Sequence, residues 1–232
     1  MQPQYSLLCP RPRKLEAGGG ELLLSRQPKL ECGGHEGSPA AAYLARLLAG
    51  AGLLPTAADS VSFALQLEPG DPQSEAYRLA IGAAGVRVLA TSKAGLFYGV
   101  CTLGQLLKLG ARPGAVSLPL LRIQDQPSFA RRGVMLDISR DKVPTLETTL
   151  ALVELLASLK INELQLYMEH TFAYAGHEKV WQDASPFTAQ DIETLDAFCR
   201  ERHIDLVPNQ NSFGHMQRWL AFEPYRSELA EA

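Results

Sequence analysis

From Arg131 onward the chain alternates short apolar runs with longer amphipathic ones, and this alternation limits its fold more than any other feature. GVMLDI (133–138) is a continuous apolar run ending in Asp, the pattern of a strand buried on both faces. Pro144-Thr145 then opens a helix on which Leu146, Leu150, Val153 and Ala157 share a face, widened by Leu152, Leu155, Leu156 and Leu159. INELQLYM (161–168) reads as a second strand. Thr188-Ala-Gln-Asp191 has the spacing of a capping box and starts a second helix carrying Ile192, Leu195, Phe198 and Cys199. IDLVPN (204–209) is a third strand, and no fourth is expected after Met216. Strand, helix, strand, helix, strand with short links predicts parallel strands joined by crossovers. The order alone fits an open doubly wound sheet or a (β/α)8 barrel. No glycine-rich phosphate loop follows any of the strands, which weighs against a nucleotide-binding sheet.

Parallel α/β folds carry their sites at the C-terminal ends of strands, and here each strand end is polar. The first brings Asp137, Ser139, Arg140 and Asp141; the second brings Glu169 and His170, then a loop with Phe172, Tyr174, His177 and Trp181; the third brings Asn209, Gln210, Asn211, Ser212 and His215. Arg140 offers a fork of donors to a hydroxylated or anionic substrate, or an ion pair to Asp137 or Asp141. His215, after Gly214, suits a general base, an orienting partner, a metal ligand or a structural histidine. Glu169-His170 is a candidate proton-transfer element or a surface pair. Tyr174 and Trp181 suit stacking on a sugar ring or packing of the loop. Glu169, His170, His177 and His215 permit a metal site, but no HExxH or similarly tight spacing supports one, and neither a metal nor another cofactor is expected.

Residues 1–126 read as a separate small α/β domain and 127–232 as the parallel unit. In the first, Ala40–Ala49 is a short helix with Gly50 placed to close it in the left-handed conformation. VSFALQL (61–67) alternates as a half-buried strand, and AYRLAI (76–81) and GVRVLA (85–90) form a hairpin across Gly82–Gly85. Lys93–Leu109 is a helix with Leu96, Val100, Leu103 and Leu107 on one stripe, ended by Gly110; one last short strand precedes a boundary at Asp125–Pro127. This half shows no chemistry of its own.

Net charge is −3, from 22 Lys+Arg and 25 Asp+Glu, so no single-sign field invites nucleic acid or an anionic membrane. The most apolar helix candidate, 151–161, is interrupted by Glu154 and Lys160 and falls short of the roughly 18 apolar residues of a membrane span. The start, MQPQYSLLCPRPRK, lacks a charged-then-apolar leader, so a cytoplasmic location is expected. Cys9, Cys32, Cys101 and Cys199 lie far apart and read as separate reduced thiols.

Two stretches, EAYRLAIGAAGVRVLATSKAGLFYGVCTLGQLL (75–107) and LPLLRIQDQPSFARRGVMLDISR (118–140), resemble glycoside hydrolase family 20, and the resemblance extends from residue 9 to residue 216. The family's members are β-N-acetylhexosaminidases with a small α/β domain ahead of a (β/α)8 catalytic barrel. The resemblance therefore implies an α/β N-terminal domain followed by the first three β/α units of a TIM barrel, apparently truncated. It implies removal of terminal β-linked N-acetylhexosamine from a carbohydrate by substrate-assisted retaining hydrolysis, with the 2-acetamido oxygen as nucleophile. Arg140 of LDISR matches the arginine that holds sugar hydroxyls, and Asn211 and Trp181 are further expected substrate contacts. His215 of NSFGHM matches the histidine that supports the catalytic acid, with Glu169 expected as its acidic partner. Where the family has Arg-His-Phe/Tyr, this chain has Arg140-Asp141-Lys142, and Glu169-His170 stands where the family has an acidic pair.

The family's catalytic Asp-Glu pair has no counterpart, because no Asp-Glu dipeptide occurs in the sequence. About 105 residues follow residue 127. A barrel of about 250 residues uses roughly 31 per strand–helix unit, so they supply about three units. The expectation is a chain that is inactive alone, with its second part poorly soluble. The alternatives are a non-catalytic carbohydrate-binding fragment, or a related sugar-active barrel of the O-GlcNAc-removing kind, against which the linker and LDISR motifs speak.

Overall fold

The computed structural model describes residues 4–53, 61–140 and 142–229, and the chain divides into two compact units. The first takes in Met1–Ala130 together with Ser158–Lys160; the second takes in Arg131–Ala157 and Ile161–Ala232.

In the first unit the elements run β1 (Lys14–Leu24), β2 (Lys29–Glu31), α1 (Pro39–Gly50), β3 (Ser62–Leu67), β4 (Tyr77–Gly82), β5 (Gly85–Ala90), α2 (Lys93–Leu109), β6 (Ala111–Arg112) and β7 (Ala115–Asp125). The strands form one mixed sheet in the order β1-β7-β4-β5-β3-β2, with β6 paired to β7. The hairpin of β4 and β5 and the limits of α2 agree with the sequence pattern. The long β1 was not legible in the sequence, because Gly18-Gly19-Gly20 reads as a breaker; the strand runs through it on a register shift against β7. The last strand is likewise eleven residues long, not short. Ser38 caps α1 by accepting from the Ala41 N–H, with Pro39 at the first helical position. Gly50 does not close this helix as expected: it lies inside it, Ala51 is the right-handed cap, and Gly52 takes the left-handed conformation at φ 69°.

Helix α2 packs on β3, β4, β5 and β7, and α1 packs on α2. Because α2 lies between sheet and helix, it is apolar nearly all round: Phe97, Tyr98, Cys101 and Leu106 are buried besides the expected stripe. Two glycines permit the close approach. A Cβ on Gly99 would stand 2.4 Å from Val88 Cγ1 in the sheet, and one on Gly104 would stand 2.7 Å from Leu47 Cδ1 in α1.

The second unit runs β8 (Gly133–Asp137), α3 (Leu146–Ser158), β9 (Glu163–Met168), α4 (Glu178–Trp181), α5 (Ala189–Arg200), β10 (Asp205–Gln210), α6 (Gln217–Leu220) and α7 (Tyr225–Leu229). The three strands are parallel in the order β10-β9-β8, as the alternation of strands and helices predicts. Thr188 and Asp191 complete a reciprocal capping box at the start of α5. Leu164, Leu166, Val153, Leu156, Ala157, Leu195 and Cys199 form the core on the helix side of the sheet. Each such Leu contributes about 1.5–3 kcal/mol by leaving water.

Two expectations fail here. The run 133–138 is not buried on both faces: Met135 is 59% exposed, and Gly133 and Asp137 are exposed too. The strand is an edge of the sheet, and its covered side chains are those sharing a face with Leu164 and Leu166. Leu155, placed on the apolar face of α3, points to solvent, and the buried stripe runs instead through Thr149, Val153, Leu156 and Ala157.

Candidate active site

Strand register brings the polar strand ends together. Asp137, Tyr167 and Asn209 are paired positions on one face of β8, β9 and β10, opposite the face that buries Leu164 and Leu166. Beyond β8, Ile138 is buried and the chain turns at Ser139, whose N–H donates to Asp137 Oδ1 at 2.9 Å. That turn lifts Arg140 to the rim.

Glu169, one residue past β9, is the centre of the cluster, with its side chain only 12% exposed. Its backbone N–H donates to Ser139 Oγ at 2.6 Å, and Ser139 Oγ lies 3.1 Å from Thr171 Oγ1. Its carbonyl accepts from Trp219 Nε1 at 2.6 Å and from Gln210 Nε2 at 3.1 Å. The carboxylate Oε1 accepts from the Tyr167 hydroxyl at 2.9 Å and faces two cations or potential cations: Arg140 Nε at 3.7 Å and His215 Nδ1 at 3.9 Å. Arg140 Nε is also 3.4 Å from Asp137 Oδ2, so the arginine pairs with a neighbouring carboxylate, as its ion-pair reading expects. Arg140 and His215 are each about half exposed. Such open ion pairs contribute little to stability. Asp141 lies outside the described residues.

His170 sits in surroundings unlike those of Glu169. Burial pushes the His170 imidazole below its usual value, the Arg218 charge adds to this, and Glu169 opposes it. Among the described residues the buried His170 Nδ1 has no hydrogen-bond partner, and these surroundings favour the neutral ring. Tyr174 and Trp181 hold the loop. Trp181 Nε1 donates to the Tyr174 carbonyl at 2.8 Å, and the Tyr174 hydroxyl, raised by burial, donates to Gln210 Oε1 at 2.9 Å. His177 contacts the Tyr225 hydroxyl through Nδ1 and packs on Trp219. Among the described residues no three His, Cys, Asp or Glu side chains converge as a metal ion would require.

Asn211 uses its amide within the protein, with Nδ2 donating to the Tyr167 hydroxyl at 2.6 Å and Oδ1 accepting from the Phe213 and Gly214 N–H groups at 3.2 Å. Sequence reasoning missed Tyr167, Thr171, Trp219 and Tyr225. Tyr167 carried a signal, since it lies two residues before Glu169 in a strand and shares its face. Trp219 had none, because nothing in the spacing ties it to a carbonyl fifty residues earlier. A cavity of about 340 Å³ lies beside β10, lined by Leu166, Met168, Ile192, Leu206 and Pro208 among others.

A carboxylate held by fixed donors, an arginine and a histidine thus meet at the carboxyl ends of parallel β/α strands, where (β/α)8 folds carry their active sites. The family model for domain 2 of glycosyl hydrolase family 20 matches residues 5–126, the model for that family's catalytic domain matches residues 129–231, and the chain belongs to this family. It is 28% identical over 171 residues to a β-hexosaminidase of Akkermansia muciniphila, covering 66% of this chain and 34% of that protein. It is 39% identical over 95 residues to a β-N-acetylhexosaminidase of Cellulomonas fimi, covering 40% of this chain and 18% of the relative. Among solved structures, the Streptomyces plicatus N-acetyl-β-hexosaminidase in complex with Thio-NAglucal matches with a TM-score of 0.80 and 28% identity, over 95% of this chain and 48% of that one. A mutant of the S. plicatus enzyme in complex with its product GlcNAc matches with a TM-score of 0.79 and 27% identity, with the same coverage. The matches thus span between about a fifth and a half of the length of these relatives. Its second unit corresponds to three β/α units of the family's barrel. Among the described residues no helix is long and apolar enough to cross a membrane.

Proposed function

We propose that this chain carries the arginine–carboxylate–histidine side of a sugar site in a β-N-acetylhexosaminidase, an enzyme that removes terminal β-linked N-acetylhexosamine by a substrate-assisted retaining mechanism. The observation that carries the proposal is the convergence of Arg140 and His215 on Glu169 Oε1, at 3.7 and 3.9 Å, at the mouth of the parallel strands. The GlcNAc bound to the S. plicatus relative supports the substrate class.

In this reading Arg140 donates to sugar hydroxyls, and its position is set by Asp137 and Glu169. Glu169 orients His215, which in turn supports a proton donor. Neither is the donor to the glycosidic oxygen. That role, and the stabilisation of the acetamido group, belong to an Asp-Glu pair, and the sequence contains no such dipeptide.

The test measures N-acetylglucosamine binding to the full chain by ligand-observed NMR, together with release of nitrophenol from an aryl β-N-acetylglucosaminide. Saturable binding, weakened about tenfold or more in Arg140→Ala, is expected for loss of a charged donor. Hydrolysis above background that vanishes in Arg140→Ala would overturn the assignment of the acid. Equal binding by the two proteins would overturn the sugar site.

A further inference from the structure

We infer that Tyr167 and Asn211 are positioning residues that couple Glu169 to the loop carrying His215; the consequence for ligand binding rests on the sugar-site reading above. The direction of the hydrogen bonds carries the inference. Glu169 Oε1 is a carboxylate oxygen, so the Tyr167 hydroxyl must donate across their 2.9 Å contact. A phenol has one proton, so its oxygen can only accept from Asn211, and Asn211 must present Nδ2 to it at 2.6 Å.

That fixes the amide the other way round, with Oδ1 turned to the Phe213 and Gly214 N–H groups at 3.2 Å each. The next residue, His215, sits at φ 54°, a conformation rarely adopted outside glycine and held only where neighbouring contacts impose it. The chain from Glu169 through Tyr167 and Asn211 to the Phe213–Gly214 backbone supplies such contacts. It ties the carboxylate and the histidine, which face each other at 3.9 Å, to one common hydroxyl. Asn211 thereby commits its carbonyl oxygen and one of its two amide N–H donors to this network.

The experiment compares the full chain with Tyr167→Phe, which removes only the oxygen, and with Asn211→Ala, which breaks the relay one bond further on. His215 ring signals and the Phe213 and Gly214 amide signals are followed by ¹H–¹⁵N NMR, and N-acetylglucosamine affinity is measured alongside. Both variants are expected to shift these signals while keeping the thermal midpoint of unfolding, and to weaken N-acetylglucosamine about tenfold, as loss of a hydrogen bond to a charged group does. Unmoved His215 signals in Tyr167→Phe would overturn the relay. Shifted signals with unchanged affinity would overturn its part in ligand positioning. Should Tyr167→Phe not fold, Asn211→Ala decides by the same signals. If the wild-type chain and Arg140→Ala bind N-acetylglucosamine alike, the sugar reading fails, and the His215 signals still judge the relay by themselves.

Discussion

Lys160 Nζ lies 3.0 Å from Asp125 Oδ2, with the two side chains only 4% and 9% exposed. Both belong to the first unit, where the ammonium also donates to the Tyr77 hydroxyl at 2.9 Å, and that hydroxyl lies 2.7 Å from Thr102 Oγ1. Every member of this buried group has a partner, so removing one charge strands the other. Lys160→Met is expected to destabilise the first unit by about 3–5 kcal/mol, because Asp125 stays buried and unpaired. The double variant Lys160→Met/Asp125→Leu should regain most of the loss. Urea unfolding followed through NMR amide signals of first-unit residues reads this unit, since tyrosines lie in both units and both tryptophans in the other.

The same pair sets a pH dependence. Burial alone would raise the Asp125 carboxyl, but the Lys160 charge, the Tyr77 hydroxyl and the Arg13 N–H together hold it below its usual value. A depressed carboxyl stabilises the fold fully above its unfolded value of about 3.9, and the contribution is lost as pH falls through the lower folded value. The urea midpoint of the first unit is therefore expected to drop between pH 5 and pH 3. In Asp125→Asn the midpoint should start lower at pH 7 and drop less over that interval. A drop as steep as that of the wild type would contradict the assignment.

In the second unit Arg202 is 2% exposed, and it donates through Nη2 to Glu154 Oε1 at 2.6 Å and through Nη1 to the Phe198 carbonyl at 2.8 Å. Its guanidinium carbon sits 3.2 Å from the centre of the Phe198 ring. Glu154, about one-third exposed, can turn to water when its partner is lost, whereas Arg202 cannot. Glu154→Ala should therefore cost more than Arg202→Met, about 3–4 against about 2–3 kcal/mol. Tryptophan fluorescence during urea unfolding measures both, because Trp181 and Trp219 report on this unit.

Thiol reactivity should separate the cysteines. Cys9 is exposed, while Cys32, Cys101 and Cys199 are buried and all four are free. Burial pushes the Cys199 thiol up to about 12, so almost none of it is thiolate at pH 8. A maleimide or disulfide reagent is expected to modify one thiol rapidly in the native chain and four in urea. Mass spectrometry of peptides should place the fast site at Cys9.

The sequence alone determined what depends on neighbours along the chain. Apolar runs and helical stripes located the parallel strands and the helices between them, the Thr188–Asp191 spacing located a helix start, and the polar residues after each run named Arg140, Glu169 and His215. These are local signals, written in side-chain periodicity and capping chemistry. Tertiary structure decided what depends on partners far apart in sequence. It carried β1 through a run of glycines because β7 pairs with the strand on both sides of it, left Met135 open on an edge strand, and buried Lys160 against Asp125. It also made Glu169 the hub of the rim, because strand register sets Tyr167 beside Asp137 and Asn209, and a tryptophan fifty residues on closes over its carbonyl. Pairing across strands and the burial of charge are properties of three-dimensional neighbours, and no period along one chain encodes them.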